Sequence, residues 1–241
     1  MIEIIDDQAP LFVCPGDYTV ATDYECGGHV YLEPVEAYNE CNSELSYSFR
    51  SGTNVLNTNG GFIDLNLGKN YLTYTVSDGC NNKSSCQVQV TVKDDTQPVA
   101  ICEQFKVISM SQSGQTLVFA DPFDNGSWDE CGIDRFEVRR MDSLCVASDT
   151  LFSDRVNFCC SDVGRETMVV FRAYDWSGNF NDCMVTVEVQ DKIAPSITCP
   201  NDQTIDCDQG YDLNNLGLTF GNADVIDNCS ESQILNEVVT A

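Results

Sequence analysis

Apolar positions along this chain recur at every second residue. VQVTV (88–92), MVVFRAY (168–174) and VTVEV (185–189) combine β-branched and aromatic residues with that spacing. Period two sends one set of side chains to a core and the other to solvent, so these runs read as β-strands. Between them lie SGTN (51–54), NTNGG (57–61), DNGS (124–127) and WSGN (176–179). Gly, Asn, Asp and Ser close turns because they tolerate unusual backbone angles or hydrogen-bond to their own backbone. No window carries a 3.6-residue apolar stripe over three turns. The fold class expected is all-β.

The pattern also repeats on a longer scale. IEIIDDQAPLFVC (2–14), VTVKDDTQPVAIC (90–102) and VEVQDKIAPSITC (187–199) align without gaps. Each is a strand, then Asp (Asp6, Asp94, Asp191), Pro four residues on, and Cys four residues after that. YTVSDGCNNKSSCQVQVTV (74–92) aligns with AYDWSGNFNDCMVTVEV (173–189), and YNEC (38–41), WDEC (128–131) and IDNC (226–229) mark an acidic turn before a cysteine. A period of roughly 90 residues means tandem modules and disfavours one large barrel. About 90 residues with some seven short strands is the size of an immunoglobulin-like sandwich. The expected division is 1–7 as the end of a preceding module's last strand, 8–95 and 96–192 as modules, and 193–241 as the incomplete start of a third. The chain therefore reads as a piece of a longer array.

Composition sharpens the setting. There are 12 Lys+Arg against 38 Asp+Glu, a net charge of −26, which disfavours nucleic acid and anionic membranes and suits hard cations. Fourteen cysteines occur with a single histidine, His29, and without a CxxC pair. That argues against zinc and for disulfides in an oxidising, extracellular compartment. No stretch approaches the ~20 apolar residues of a membrane span. MIEIIDDQAP lacks the basic and apolar regions of an export signal, which points to a mature fragment.

The order D-x-x-x-P-x-x-x-C, acidic turn ending in Cys, then D-x-S-G-N-x-x-x-C before VTVEVQD resembles the hyalin repeat. This is an immunoglobulin-like extracellular module of animal adhesion proteins and of very large bacterial surface proteins. DNGSWDECGID and FCCSDVG look most like the bacterial version. The first module departs from the pattern, with DGCNN where the second has DWSGN. The resemblance implies a tandem, disulfide-stapled, non-enzymatic module.

In a seven-stranded sandwich the first and last strands run parallel from one pole. That places Cys14 with Cys86 and Cys102 with Cys183, and two pole turns place Cys41 with Cys80. Adjacent cysteines on a strand face opposite ways, so Cys159 and Cys160 are expected to bond different partners, Cys145 and Cys131 respectively. Cys26, Cys199, Cys207 and Cys229 are left without an expected partner.

Only about four residues separate each module's closing Asp from the next Pro, at most ~14 Å, so acidic elements converge at the junctions. The candidates are the junction acids Asp6, Asp7, Asp94, Asp95 and Asp191, the acidic turns with Glu40, Asp124, Asp129 and Asp227, and the Asp-rich turns with Asp78 and Asp175. Close carboxylates repel, and Ca²⁺, which takes 6–8 oxygens from Asp, Asn and carbonyl groups, is a natural structural partner. The alternative is that these residues are solvated turn-formers.

Other signals are weaker. With one histidine and no GxSxG, a Ser-His-Asp site has no support. Trp128 and Trp176 fall in pole turns and could stack on sugars or pack across a junction. Asn82-Lys-Ser, Asn125-Gly-Ser and Asn228-Cys-Ser fit the N-glycan acceptor pattern. The function expected is a structural, adhesive array within an extracellular fibre or cell-surface adhesin. Its partners would be further modules of the same chain, neighbouring subunits, or surface glycans and proteins. The alternative is a spacer or glycan-binding accessory region of a secreted multidomain enzyme.

Overall fold

The computed structural model describes residues 6–23, 25–40, 44–202, 204 and 221–229. It is all-β, with short 3-10 turns and no longer helix among these residues. Two compact units form. The first holds the described residues up to Val99 together with Trp128–Asp134 and Tyr174–Phe180. The second holds Ala100–Ser127, Arg135–Ala173 and the described residues from Asn181 on. These limits differ from the repeat boundaries: two turns of the second repeat, 128–134 and 174–180, group with the first unit.

The first unit contains β1 (Leu11–Phe12), β2 (Tyr18–Ala21), β3 (Gly27–Leu32), β4 (Ala37–Tyr38), β5 (Ser46–Ser51), β6 (Asn54–Leu56), β7 (Gly61–Asn66), β8 (Gly68–Ser77) and β9 (Lys83–Lys93). A five-stranded sheet runs β2-β9-β8-β5-β6, and β3 pairs with β7. β2 is parallel to β9, with Tyr18 opposite Val90, and the pairings of β9 with β8, β8 with β5 and β5 with β6 are antiparallel. Strict alternation decides the core: Leu72, Tyr74 and Val76 of β8 and Val88, Val90 and Val92 of β9 face Val30, Leu32, Ile63 and Leu65 of the smaller sheet. Each such side chain contributes about 1.5–3 kcal/mol by leaving water. Phe49 on β5 closes the core against Tyr74, ring centroids 4.4 Å apart.

The second repeat follows the same plan with β10 (Phe105–Ser109), β11 (Gln115–Phe119), β12 (Ile133–Arg140), β13 (Arg155–Cys159), β14 (Glu166–Asp175) and β15 (Phe180–Gln190), followed by β16 (Ser196–Thr198) and β17 (Asp224–Ile226); of these residues, 133–134, 174–175 and 180 group with the first unit. Its large sheet runs β10-β15-β14-β12, with β10 parallel to β15, while β11 pairs with β13 and β16 with β17. Val138, Phe158, Phe171, Val185 and Val187 are fully buried. So is Arg140, which the strand pattern does not flag. Its guanidinium donates to both oxygens of the equally buried Asp162, Nη1 at 2.8 Å and Nη2 at 2.7 Å. Further donors reach Asp142 and the Asn157 carbonyl. Burial is the largest influence and would raise the Asp162 carboxyl, but the Arg140 hydrogen bonds, the Cys159 N–H, the Arg140 charge and the Thr167 hydroxyl together hold it below the ordinary value.

Among the described residues, five disulfides staple the units. Cys14–Cys86, Cys102–Cys183 and Cys145–Cys159 join the expected partners. The expected Cys131–Cys160 bond is not formed: Cys131 bonds Cys26 and Cys160 bonds Cys229. β13 ends at Cys159, and Cys160 opens the 3-10 turn Cys160–Asp162, which carries its sulfur beside the carbonyls of Gly114 and Asn228. Cys26 sits at φ +55° in a turn anchored by Asp23 and faces Cys131 instead. Of the expected Cys41–Cys80 pair, Cys41 lies outside the described residues. Cys80 and Cys199 are exposed and bond no described cysteine, and Cys207 lies outside the described residues.

Candidate metal centre

The repeated aspartates build the same turn three times. One carboxylate oxygen, Oδ1, accepts the N–H two residues on: Gln8 at 3.1 Å for Asp6, Thr96 at 3.1 Å for Asp94 and Ile193 at 3.0 Å for Asp191. Asp caps its own turn this way. The Asp-rich turns are equally conserved in geometry. Asp78 Oδ1 accepts the N–H of Cys80 (2.8 Å) and of Asn82 (2.9 Å), and Asp175 Oδ1 those of Ser177 and Asn179 (both 2.8 Å). DGCNN and DWSGN are therefore equivalent, with Asn81 (φ +70°) taking the left-handed position that Gly178 (φ +88°) holds in the second copy.

An asparagine ties the two acidic elements together. Asn82 Nδ2 donates to Asp78 Oδ2 (2.9 Å) and to the backbone carbonyl of Asp6 (3.0 Å). Asn179 Nδ2 does the same for Asp175 (2.8 Å) and the carbonyl of Asp94 (3.2 Å). Burial would raise the Asp78 carboxyl, but the Asn82 side chain and the backbone donors prevail and lower it. The sequence pattern marked Asn82 only as a glycan acceptor, yet its Nδ2 is spent on this clamp. Asn228 Nδ2 is likewise spent, on Ser111 O and Asp191 Oδ1, whereas Asn125 is exposed.

At Asp94 the arrangement leaves something undone. Asp94 is 2% exposed, and its Oδ2 is buried without a hydrogen-bond partner. Asp129 presents a carboxylate within 4.8 Å of an Asp94 oxygen and of Cys131 Sγ, and its Oδ1 accepts the Cys131 N–H at 2.7 Å. The Asp129 acid is pushed above its ordinary value, first by burial and then by the charges of Asp94 and Asp175. Among the described residues no Lys or Arg pairs with these three. Leaving a buried acceptor unmade costs about 1–3 kcal/mol, more when charged. Cys131 is disulfide-bonded, so the free donors are all carboxylate oxygen, which suits a hard divalent cation rather than zinc.

The other candidate acids are placed differently. Asp6 and Asp78 meet through Asn82, and Asp6 Oδ2 is also buried without a partner. Asp191 meets the Asn228 amide at 3.2 Å, beside half-buried Asp227. Asp7, Asp95 and Glu40 are exposed, with Asp7 accepting from its neighbour Gln8. Asp124 caps the N–H groups of Gly126 and Ser127 and acts as a turn-former. Cys145, Cys159 and Asp162 also cluster, but the Arg140 guanidinium already fills that position. His29 is exposed, with Nδ1 2.6 Å from Asp64 and its ring stacked on Phe62.

No protein-family model matches the chain, and no curated protein matches it. Solved structures do. A two-domain structure of DIP-gamma (IG1+IG2) overlaps 76% of this chain and 99% of its own at 7% identity and TM-score 0.41. Drosophila N-cadherin EC1-4 overlaps 76% of this chain and 50% of its own at 13% identity and TM-score 0.41. Human mucin-like protocadherin EC1-2 overlaps 76% and 99% at 14% identity and TM-score 0.41.

Proposed function

We propose that this chain is a non-enzymatic array of immunoglobulin-like modules from an extracellular fibre or cell-surface adhesin, stapled by disulfides and stiffened by Ca²⁺ at the Asp94 cluster. The observation that carries the metal is the buried, unpartnered Asp94 Oδ2 beside Asp129 and Asp175. Asp94 and Asp129 would supply carboxylate oxygens, while Asp175 and Asn179 hold the Asp94 backbone in place. The bound cation would offset the Asp94 and Asp175 charges, which add to the burial that raises the Asp129 acid. Five disulfides fit an oxidising compartment outside the cytosol. Its partners on this reading are further modules of the same chain or neighbouring subunits.

The test is thermal unfolding in Ca²⁺ and in EDTA, with elemental analysis of the dialysed protein. A ligand at 100 times its Kd stabilises by about 2.7 kcal/mol. Ca²⁺ is expected to raise the Tm of the natural chain and not that of Asp94→Asn. An unchanged Tm with no bound metal would end the metal reading and leave the disulfide-stapled array standing.

A further inference from the structure

Beside the acidic cluster, within the first unit, lies a cleft of about 400 Å³. Its lining includes Thr22, Asp23, Thr96, Gln97, Trp128 and Glu130. We propose that this cleft is a binding site for an uncharged saccharide, with the Trp128 indole as its stacking platform.

Trp128 is 52% exposed and its side chain lines this cleft, whereas Trp176, 68% exposed, does not line it. It is also rigidly mounted. Its N–H donates to the Val99 carbonyl at 3.1 Å, its carbonyl accepts the Val99 N–H at 2.9 Å, and the Cys26–Cys131 bond follows three residues on. With its backbone fixed, the indole has only two side-chain torsions to order, so it presents a flat apolar face at little entropic cost. A cleft of this volume falls within the range of small-ligand sites and admits a sugar unit or two.

The polar lining decides the ligand class. Two of its three carboxylates are committed elsewhere. Asp23 accepts the N–H groups of Glu25, Gly27 and His29, and Asp129 belongs to the Asp94 cluster. Glu130 alone is left, too little to define a cation site. By contrast, the Thr22 and Thr96 hydroxyls and the Gln97 amide make no hydrogen bond to other groups among the described residues. Hydroxyl and amide groups around an aromatic face match a polyol, whose C–H face stacks while its hydroxyls exchange hydrogen bonds. An anionic sugar would meet Asp23, Asp129 and Glu130 and be repelled.

The protein has two tryptophans, so Trp176→Phe leaves Trp128 as the sole indole reporter. That variant is titrated with neutral gluco-, manno-, galacto- and xylo-oligosaccharides, in Ca²⁺ and in EDTA, which keeps the outcome separate from the metal reading. A saturable change in Trp128 emission with at least one series, in both buffers, is expected. By calorimetry, Trp128→Ala should weaken binding about tenfold or more, Gln97→Ala less, and Trp176→Ala not at all. The proposal fails if no series saturates the signal at millimolar concentration. It fails equally if Trp128→Ala, shown folded by circular dichroism, binds as tightly, or if oligolysine binds where the sugars do not.

Discussion

Asp94 and Asp191 occupy the same place in the repeat and make the same turn, yet their surroundings differ. Around Asp94 the neighbours are carboxylates, Asp129 and Asp175, and one buried oxygen has no donor. Around Asp191 an amide arrives: Asn228 donates to it and to the Ser111 carbonyl. The added donor traces to one aligned position, Glu130 in WDEC and Asn228 in IDNC, while Asp227 keeps the acid that Asp129 supplies. Asp6 stands between them, with an orphaned oxygen but Asn39 where the second repeat has Asp129. The turn is thus a property of the repeat, while its charge balance depends on one or two neighbours.

The largest effect tests what holds Asp129 in place. Cys26→Ser with Cys131→Ser opens a bond spanning 105 residues, a loss of about 4–5 kcal/mol on the chain-entropy model. Denaturant titration should show that loss together with a weakened Ca²⁺ response. Removing Cys160 and Cys229 should cost nearly as much and leave the Ca²⁺ response intact.

Next comes the clamp. Asn179→Ala strands the Asp94 carbonyl and an Asp175 oxygen, costing about 1–3 kcal/mol and the Ca²⁺-dependent rise in Tm. Asn228→Ala should cost stability of the same order with no effect on that rise. A gain is sharper still: Asn39→Asp puts an acid in the first repeat at the position that aligns with Asp129, and calorimetry should then count one more bound Ca²⁺. An unchanged stoichiometry would show that carboxylate number is not what separates the copies.

The smallest effect is in pH. The raised Asp129 acid holds its proton in the folded chain at pH values where the unfolded chain has lost it. In EDTA, stability should therefore rise as pH falls toward the ordinary carboxylate value, and Asp129→Asn should flatten that slope. Asp162 behaves oppositely. Its lowered acid stabilises the fold above the ordinary carboxylate value, and that contribution disappears as pH falls through its folded value. Urea midpoints between neutral and acidic pH would separate the two.

What the sequence by itself determined is what depends on local spacing. Alternation placed the strands, because the pleat sends successive side chains to opposite faces. The Asp turns were legible, because their hydrogen bonds close over two to four residues. The bonds Cys14–Cys86 and Cys102–Cys183 were legible from the parallel first and last strands of a sandwich. The tertiary structure alone decided the rest. Asn82 and Asn179 reach carbonyls 76 and 85 residues away, and nothing in their own turns announces it. Arg140 and Asp162 look like ordinary surface charges until the second core closes over them. Cys26 finds Cys131, and three of the eleven candidate acids converge at Asp94, because long-range side-chain pairing depends on where strand ends arrive in space. A one-dimensional period records which residues recur, not which ones meet.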